Sequence, residues 1–171
     1  MPIQHIKFSA AIVGAPGGTA GGALAAAAGA LIQIGPVIQV LVGVPSPLAA
    51  RLQAQNLPVP TPVSGVALID TGATRSAVAE TVAQTLGIQP SGVVNVGTAG
   101  GMQQQSVYSA RFTFPGGPLP PIEFAQLTGV NLQGHVLPGI GMPLIALIGR
   151  DILSRFVMIY DGQTATVTLA F

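Results

Sequence analysis

The chain has five acidic residues in 171, Asp70, Glu80, Glu123, Asp151 and Asp161, with two histidines and no cysteine. That inventory narrows the chemistry. Thiolate nucleophiles and thiolate metal sites are excluded. Serine catalysis needs a base, ordinarily His. His5 lies near the terminus, His135 falls in a loop after Gly134, and no Ser stands in a G-x-S-x-G turn. Two distant histidines and scattered acids supply no metal cluster. The glycine-rich GAPGGTAGG has no Lys followed by Ser or Thr to grip a phosphate. Acid–base work therefore rests on carboxylates.

Asp70 is the best placed of them. It ends the apolar run Val66-Ala67-Leu68-Ile69 and is followed by Thr71 and Gly72, so it reads as a half-buried carboxylate at a strand end, held by the N–H groups of a tight turn. Two such carboxylates side by side cannot both ionise and so share one proton. The ionised partner can take a proton from a water attacking an amide carbonyl, while the protonated one serves the carbonyl oxygen or leaving group. The other acids have plainer readings. Asp151 stands at the start of a short helix, and Asp161 with Gly162 makes a turn. Gln103 to Gln105 read as solvated, with the lining of a peptide groove as the alternative.

LIDTGAT, with ALIGRDIL downstream, resembles the retropepsin-like family of aspartic proteases. Asp70, Thr71, Gly72 and Ala73 match the family's first element; Leu147, Ile148, Gly149, Arg150, Asp151, Ile152 and Leu153 match the second. The resemblance covers Leu31 to Phe171. It implies a mostly β fold, a closed or orthogonal barrel with a Gly-tipped flap hairpin and one or two short helices. It implies an aspartic endopeptidase without cofactor or metal, acting on peptide or protein substrates. Carried over, Asp70 is the catalytic carboxylate, Thr71 braces its counterpart in a partner subunit, and Gly72 offers its backbone to substrate beside Ala73. Thr98, Ala99, Gly100 and Gly101 form the flap, and Ile148 with Gly149 packs the second loop behind the first. Retroviral members carry an acid where Thr74 stands, paired with the equivalent of Arg150. Here Arg150 must find Asp151 or a carbonyl instead. An Arg75 facing the cleft would favour ionised carboxylates and lower the working pH.

One Asp-Thr-Gly per chain means that a two-aspartate site needs a homodimer, its two-fold axis passing between the Asp70 side chains. The C-terminal TVTLAF alternates and is a candidate interface strand. The rival reading is an inactive member that retains the motif as a dimerisation or peptide-binding module; a third possibility is a precursor that trims its own N-terminal arm.

The elements that must position Asp70 are mostly strands. Ile6 and Phe8 alternate in HIKFSAAIV, and LIQIGPVIQVLVGV from Leu31 is β-branched. The proline-rich stretch that follows is an excursion with a helical turn over residues 48–55. VALID is a buried strand. SAVAETVAQTLGI, with Val78, Val82 and Leu86 at four-residue spacing, predicts an amphipathic helix capped by Ser76 and stopped by Gly87. Residues 93–114 predict two strands about a glycine turn. IEFAQLTGV and LIALIG are further strands, RDILSRF is a short helix, and the chain closes in a hairpin.

Charged residues are 6% of the chain against 49% apolar, and the net charge is +1. Nothing in that balance attracts nucleic acid or an anionic membrane. A surface so poor in charge is covered by neutral polar groups or by another subunit. Residues 1–30 read as an Ala/Gly-rich, flexible arm and residues 31–171 as the protease domain. Ala and Gly are too weakly apolar to drive a membrane span. The expected location is cytoplasmic, with export or tethering through the arm as the alternative.

Overall fold

β-branched runs broken by glycine and proline give short strands, and six of them close into a ring. The computed structural model describes residues 3–7, 20–98, 100–134 and 141–170. In chain order the elements are β1 (Ile3–Lys7), α1 (Ala20–Ile34), β2 (Val37–Gly43), α2 (Ser46–Ala54), β3 (Val63–Ile69), β4 (Ala77–Ala79), α3 (Glu80–Thr85), β5 (Gly92–Thr98), β6 (Gly101–Thr113), β7 (Ile122–Val130), β8 (Leu144–Ile148), α4 (Arg150–Leu153), β9 (Val157–Asp161) and β10 (Thr166–Ala170). The larger sheet runs β2-β3-β8-β4-β7-β6, and a second pairing of β2 with β6 closes the barrel. β5 is added outside the ring, on the free half of β6.

Closure follows from the length of β6. Its end, residues 111–113, pairs with β2, while its first half forms the hairpin with β5. Val40, Val42, Val78, Phe112 and Leu127 fill the interior with almost no exposure, and the Phe112 and Phe124 rings lie 4.7 Å apart between centroids. β3 and β8 run parallel at the heart of the barrel. Their continuous apolar sequences suit strands covered on both faces.

A second core lies outside the barrel, where Ala27 and Leu31 of α1 meet Val37, Val66 and Leu144 of the barrel and Ala165 and Val167 near the C-terminus. The strand expected from Leu31 therefore starts only at Val37. Alanine is the strongest helix former, and the Ala-rich tract stays helical through Ile34. Gly35, at φ +79°, then ends it, donating its N–H to the Leu31 carbonyl at 3.0 Å, before Pro36. Ala27 and Leu31, four residues apart, bury one face of this helix. Residues 8–19 of the predicted arm lie outside the described residues.

β10 sits between β1 and β9 in a three-stranded sheet. The predicted interface strand thus has both edges taken within its own chain, and Phe171 lies outside the described residues. Asp161 does make the closing turn, accepting from the N–H groups of Gln163 at 2.9 Å and Thr164 at 3.1 Å. Thr164, through its side chain and then its backbone, holds the Asp161 carboxyl below the usual carboxylate value. Among the described residues no helix is long and apolar enough to cross a membrane.

Candidate active site

β3 delivers Asp70 at the barrel's end, and the chain turns at once. The Asp70 backbone N–H donates to the Ile148 carbonyl at 2.9 Å, continuing the parallel β3–β8 ladder one step beyond the strands. Its side-chain Oδ1 accepts from the N–H of Gly72 at 2.8 Å and of Ala73 at 3.1 Å. One oxygen is thereby fixed by the turn of its own chain, as the sequence predicts. A methyl group at Gly72 would lie 3.1 Å from that oxygen, so glycine keeps the carboxylate uncrowded. Asp70 and Ala73 are half-buried, and Thr71 and Gly72 are exposed.

The second loop locks onto the first. Arg150 N–H donates to the Ala73 carbonyl at 3.0 Å and Asp151 N–H to the Thr74 carbonyl at 3.2 Å. Arg150 Nη1 donates to the Thr71 carbonyl at 2.8 Å and to that of Gly72 at 3.3 Å, while Nη2 donates to Thr74 Oγ1 at 2.9 Å. Of the partners considered for Arg150, the structure selects carbonyls, and Thr74 supplies a hydroxyl where an acid is missing. Replacing Arg150 by Ala removes three bonds from an exposed guanidinium. The expected loss is about 1–2 kcal/mol, below the full range for charged donors because water replaces part of it. Lys should restore little, since it lacks the planar fork. Thermal unfolding of both variants checks this, and a Lys variant as stable as wild type contradicts it.

Asp151 does something the sequence did not disclose. Its carboxylate accepts from Ser76 N–H, 3.0 Å from each oxygen, from Ser76 Oγ at 2.8 Å and from Ile152 N–H at 2.9 Å. Ser76 Oγ in turn accepts from Gly149 N–H at 3.0 Å, and Ser76 is fully buried. Ser76 is thus not the predicted helix cap. The next residues, Ala77–Ala79, form β4, parallel to β7 and antiparallel to β8, and the helix starts only at Glu80. Apolar residues at helical spacing look the same in a short strand buried on both faces. Gly87, at φ +68°, does stop that helix. The Asp151–Ser76 contact spans 75 positions in the chain, and no local pattern could have announced it.

Ile148 and Gly149 are both buried. A Cβ on Gly149 would meet the Arg75 carbonyl carbon at 2.5 Å and its oxygen at 2.6 Å, so glycine lets the second loop pack directly on the first.

The β5–β6 hairpin turns between Thr98 and Gly101, which face each other in register. Gly101, at φ +105°, occupies backbone space that favours glycine, and Gly100 is exposed. Ala99 and the Thr98 side chain lie outside the described residues. Between hairpin and Asp70 turn opens a cavity of about 570 Å³, lined by residues 72–75 on one side and 94–97 on the other, with Ala77, Gln105, Thr128, Val130 and Leu147 between them. That volume is in the range of small-ligand and peptide side-chain sites. Gln105, read as solvated, lines this cavity, whereas Gln103 and Gln104 are exposed. Among the described residues no three His, Asp or Glu gather as metal ligands.

A family model described as "gag-polyprotein putative aspartyl protease" matches residues 62–155, more than half of the chain. No curated protein matches the sequence. Among solved structures the chain is similar to the crystal structure of a retropepsin-like aspartic protease from Rickettsia conorii, at 19% identity and a TM-score of 0.42. The match covers 78% of this chain and 80% of that one.

Proposed function

Because this chain belongs to the retropepsin-like family of gag-polyprotein aspartyl proteases, we propose that it is a homodimeric aspartic endopeptidase whose catalytic pair is Asp70 from each of two copies. The observation that carries this reading is the setting of Asp70: half-buried, with one oxygen bound by two turn N–H groups, beside a cavity faced by a glycine-tipped hairpin. Of the chain's other acids, Glu123 pairs with Arg111, Asp151 is bound to Ser76, Asp161 makes a turn and Glu80 opens α3. None of them is a second catalytic carboxylate, and a second copy supplies one by symmetry.

In the dimer the two Asp70 carboxylates hold one proton and one water between them. The ionised carboxylate removes a proton as the water oxygen bonds to the peptide carbonyl carbon, and the protonated one donates to the carbonyl oxygen. The resulting gem-diol collapses as its C–N bond breaks and the amine leaves with a proton. The hairpin around Thr98, Ala99, Gly100 and Gly101 acts as the flap that covers an extended peptide, its glycines permitting close backbone approach. Thr71 braces the partner's loop, and the Gly72 backbone meets substrate.

The test is cleavage of an unfolded protein across the acid to neutral range, read by mass spectrometry, beside sedimentation of the same sample. Activity needs one proton on the pair. The pH profile of kcat/KM should therefore be bell-shaped, falling when the pair loses its proton and again when both carboxylates carry one. A folded dimer that cuts nothing at any pH would instead identify a peptide-binding or dimerisation module.

A further inference from the structure

The cavity beside the Asp70 turn carries a positive charge on its wall. Arg75 lines the cavity between the Asp70 turn and the hairpin. Its Nη1 donates to Gln126 Oε1 at 2.9 Å, a neutral partner that holds the guanidinium in place without cancelling its charge. Among the described residues no acid forms an ion pair with it: Glu123 is taken by Arg111, Asp151 by Ser76, Asp70 and Asp161 accept from their own turns, and Glu80 opens α3. No Asp or Glu lines the cavity; Ala77, Val94, Val96, Val130 and Leu147 give it aliphatic wall, beside the neutral polar Thr74, Asn95, Gln105 and Thr128.

Resting on the protease reading above, we infer that Arg75 is a specificity-determining residue. The preferred substrate is an extended peptide that places an aliphatic side chain in the cavity and an acidic side chain nearby, on the Arg75 guanidinium. A carboxylate there gains a charge-assisted hydrogen bond with a planar donor already oriented by Gln126. A lysine meets like charge. Because Arg75 is exposed, the preference is moderate and salt-sensitive.

The probe is a set of blocked octapeptides built on a Val-Val-Leu-Val centre, with Glu, Gln or Lys moved through each flanking position. Affinity is read by fluorescence anisotropy on the full chain carrying Asp70→Asn, and kcat/KM on wild type. At one flanking position Glu should be favoured over Gln by about fivefold, and over Lys by more. The preference should shrink toward unity in about 0.5 M salt. Arg75→Gln should erase it, and Arg75→Glu should reverse it in favour of Lys. Equal treatment of Glu and Gln at every position, or a preference that persists in Arg75→Gln, overturns the inference while cleavage itself leaves the protease reading standing. Binding with the stated preference but no cleavage by wild type does the reverse. Failure of every peptide to bind or to be cut overturns both.

Discussion

Asp70→Asn should leave the fold intact and abolish peptide hydrolysis, lowering kcat by about 10⁴-fold or more. The two effects separate because the carboxylate has two jobs. Structurally it is an acceptor for the Gly72 and Ala73 N–H groups, and both bonds reach one oxygen. An asparagine carbonyl oxygen can accept the same two bonds, so the turn survives. Chemically the pair must exchange a proton with water and with the scissile carbonyl, which an amide cannot do. Mixing the variant with wild type then tests the symmetry. If each site takes one Asp70 from each copy, a mixed dimer is inactive, and activity falls as the square of the wild-type fraction. An equal mixture retains about a quarter of the activity, where independent monomeric sites would retain about half. Subunits must be exchanged by unfolding and refolding together before the assay. Linear dilution after verified exchange, or hydrolysis surviving in the pure variant, would sink the two-fold dyad.

What the sequence disclosed and what it hid divide along the range of the interactions. Asp70 at a strand end with its turn, the glycine-tipped hairpin and the Asp161 turn are local devices, each set by residues within a few positions of one another, and each appears where it was read. The apolar runs VALID and LIALI gave two buried strands, and the structure sets them side by side and parallel. Tertiary choices were out of reach. The Ala-rich tract up to residue 30 read as a flexible arm. Burial of Ala27 and Leu31 against the barrel and the C-terminal strands gives its helix a partner that no local count reveals. Val78 falls at helical spacing with Val82 and Leu86, yet Ala77–Ala79 becomes a strand because β7 and β8 flank it on both edges. The pairing of Asp151 with Ser76, and the position of Arg75 on the cleft wall, depend on two loops meeting from distant parts of the chain. Those meetings are what turn a motif into a site.

Gly149→Ala should be the most destabilising single methyl that can be added to the Asp70 and Gly149 loops, costing about 3 kcal/mol. Backbone preference plays no part, since Gly149 sits at φ −90° and ψ −178°, a conformation open to alanine. The cost is steric. The new Cβ would lie 2.5 Å from the Arg75 carbonyl carbon, 2.6 Å from its oxygen and 2.9 Å from Ser76 N. Those are backbone atoms and cannot rotate aside. The first loop must therefore move, and with it the bonds from Gly149 N–H to Ser76 Oγ and from Ser76 to the Asp151 carboxylate, all near 3.0 Å at present. Losing register there also pulls on Ala73 and Thr74, which accept from Arg150 and Asp151, and so on the turn that aims Asp70. A chain of this size should lose about 6–12 °C in Tm, and the protein that remains folded should hydrolyse peptides more slowly. Gly92→Ala is the control. A Cβ at Gly92 meets no atom within 4 Å, and that variant should stay within about 0.5 kcal/mol of wild type. Equal melting temperatures for the two alanine variants would mean that the second loop does not pack on the first as tightly as the Arg75–Gly149 contact requires.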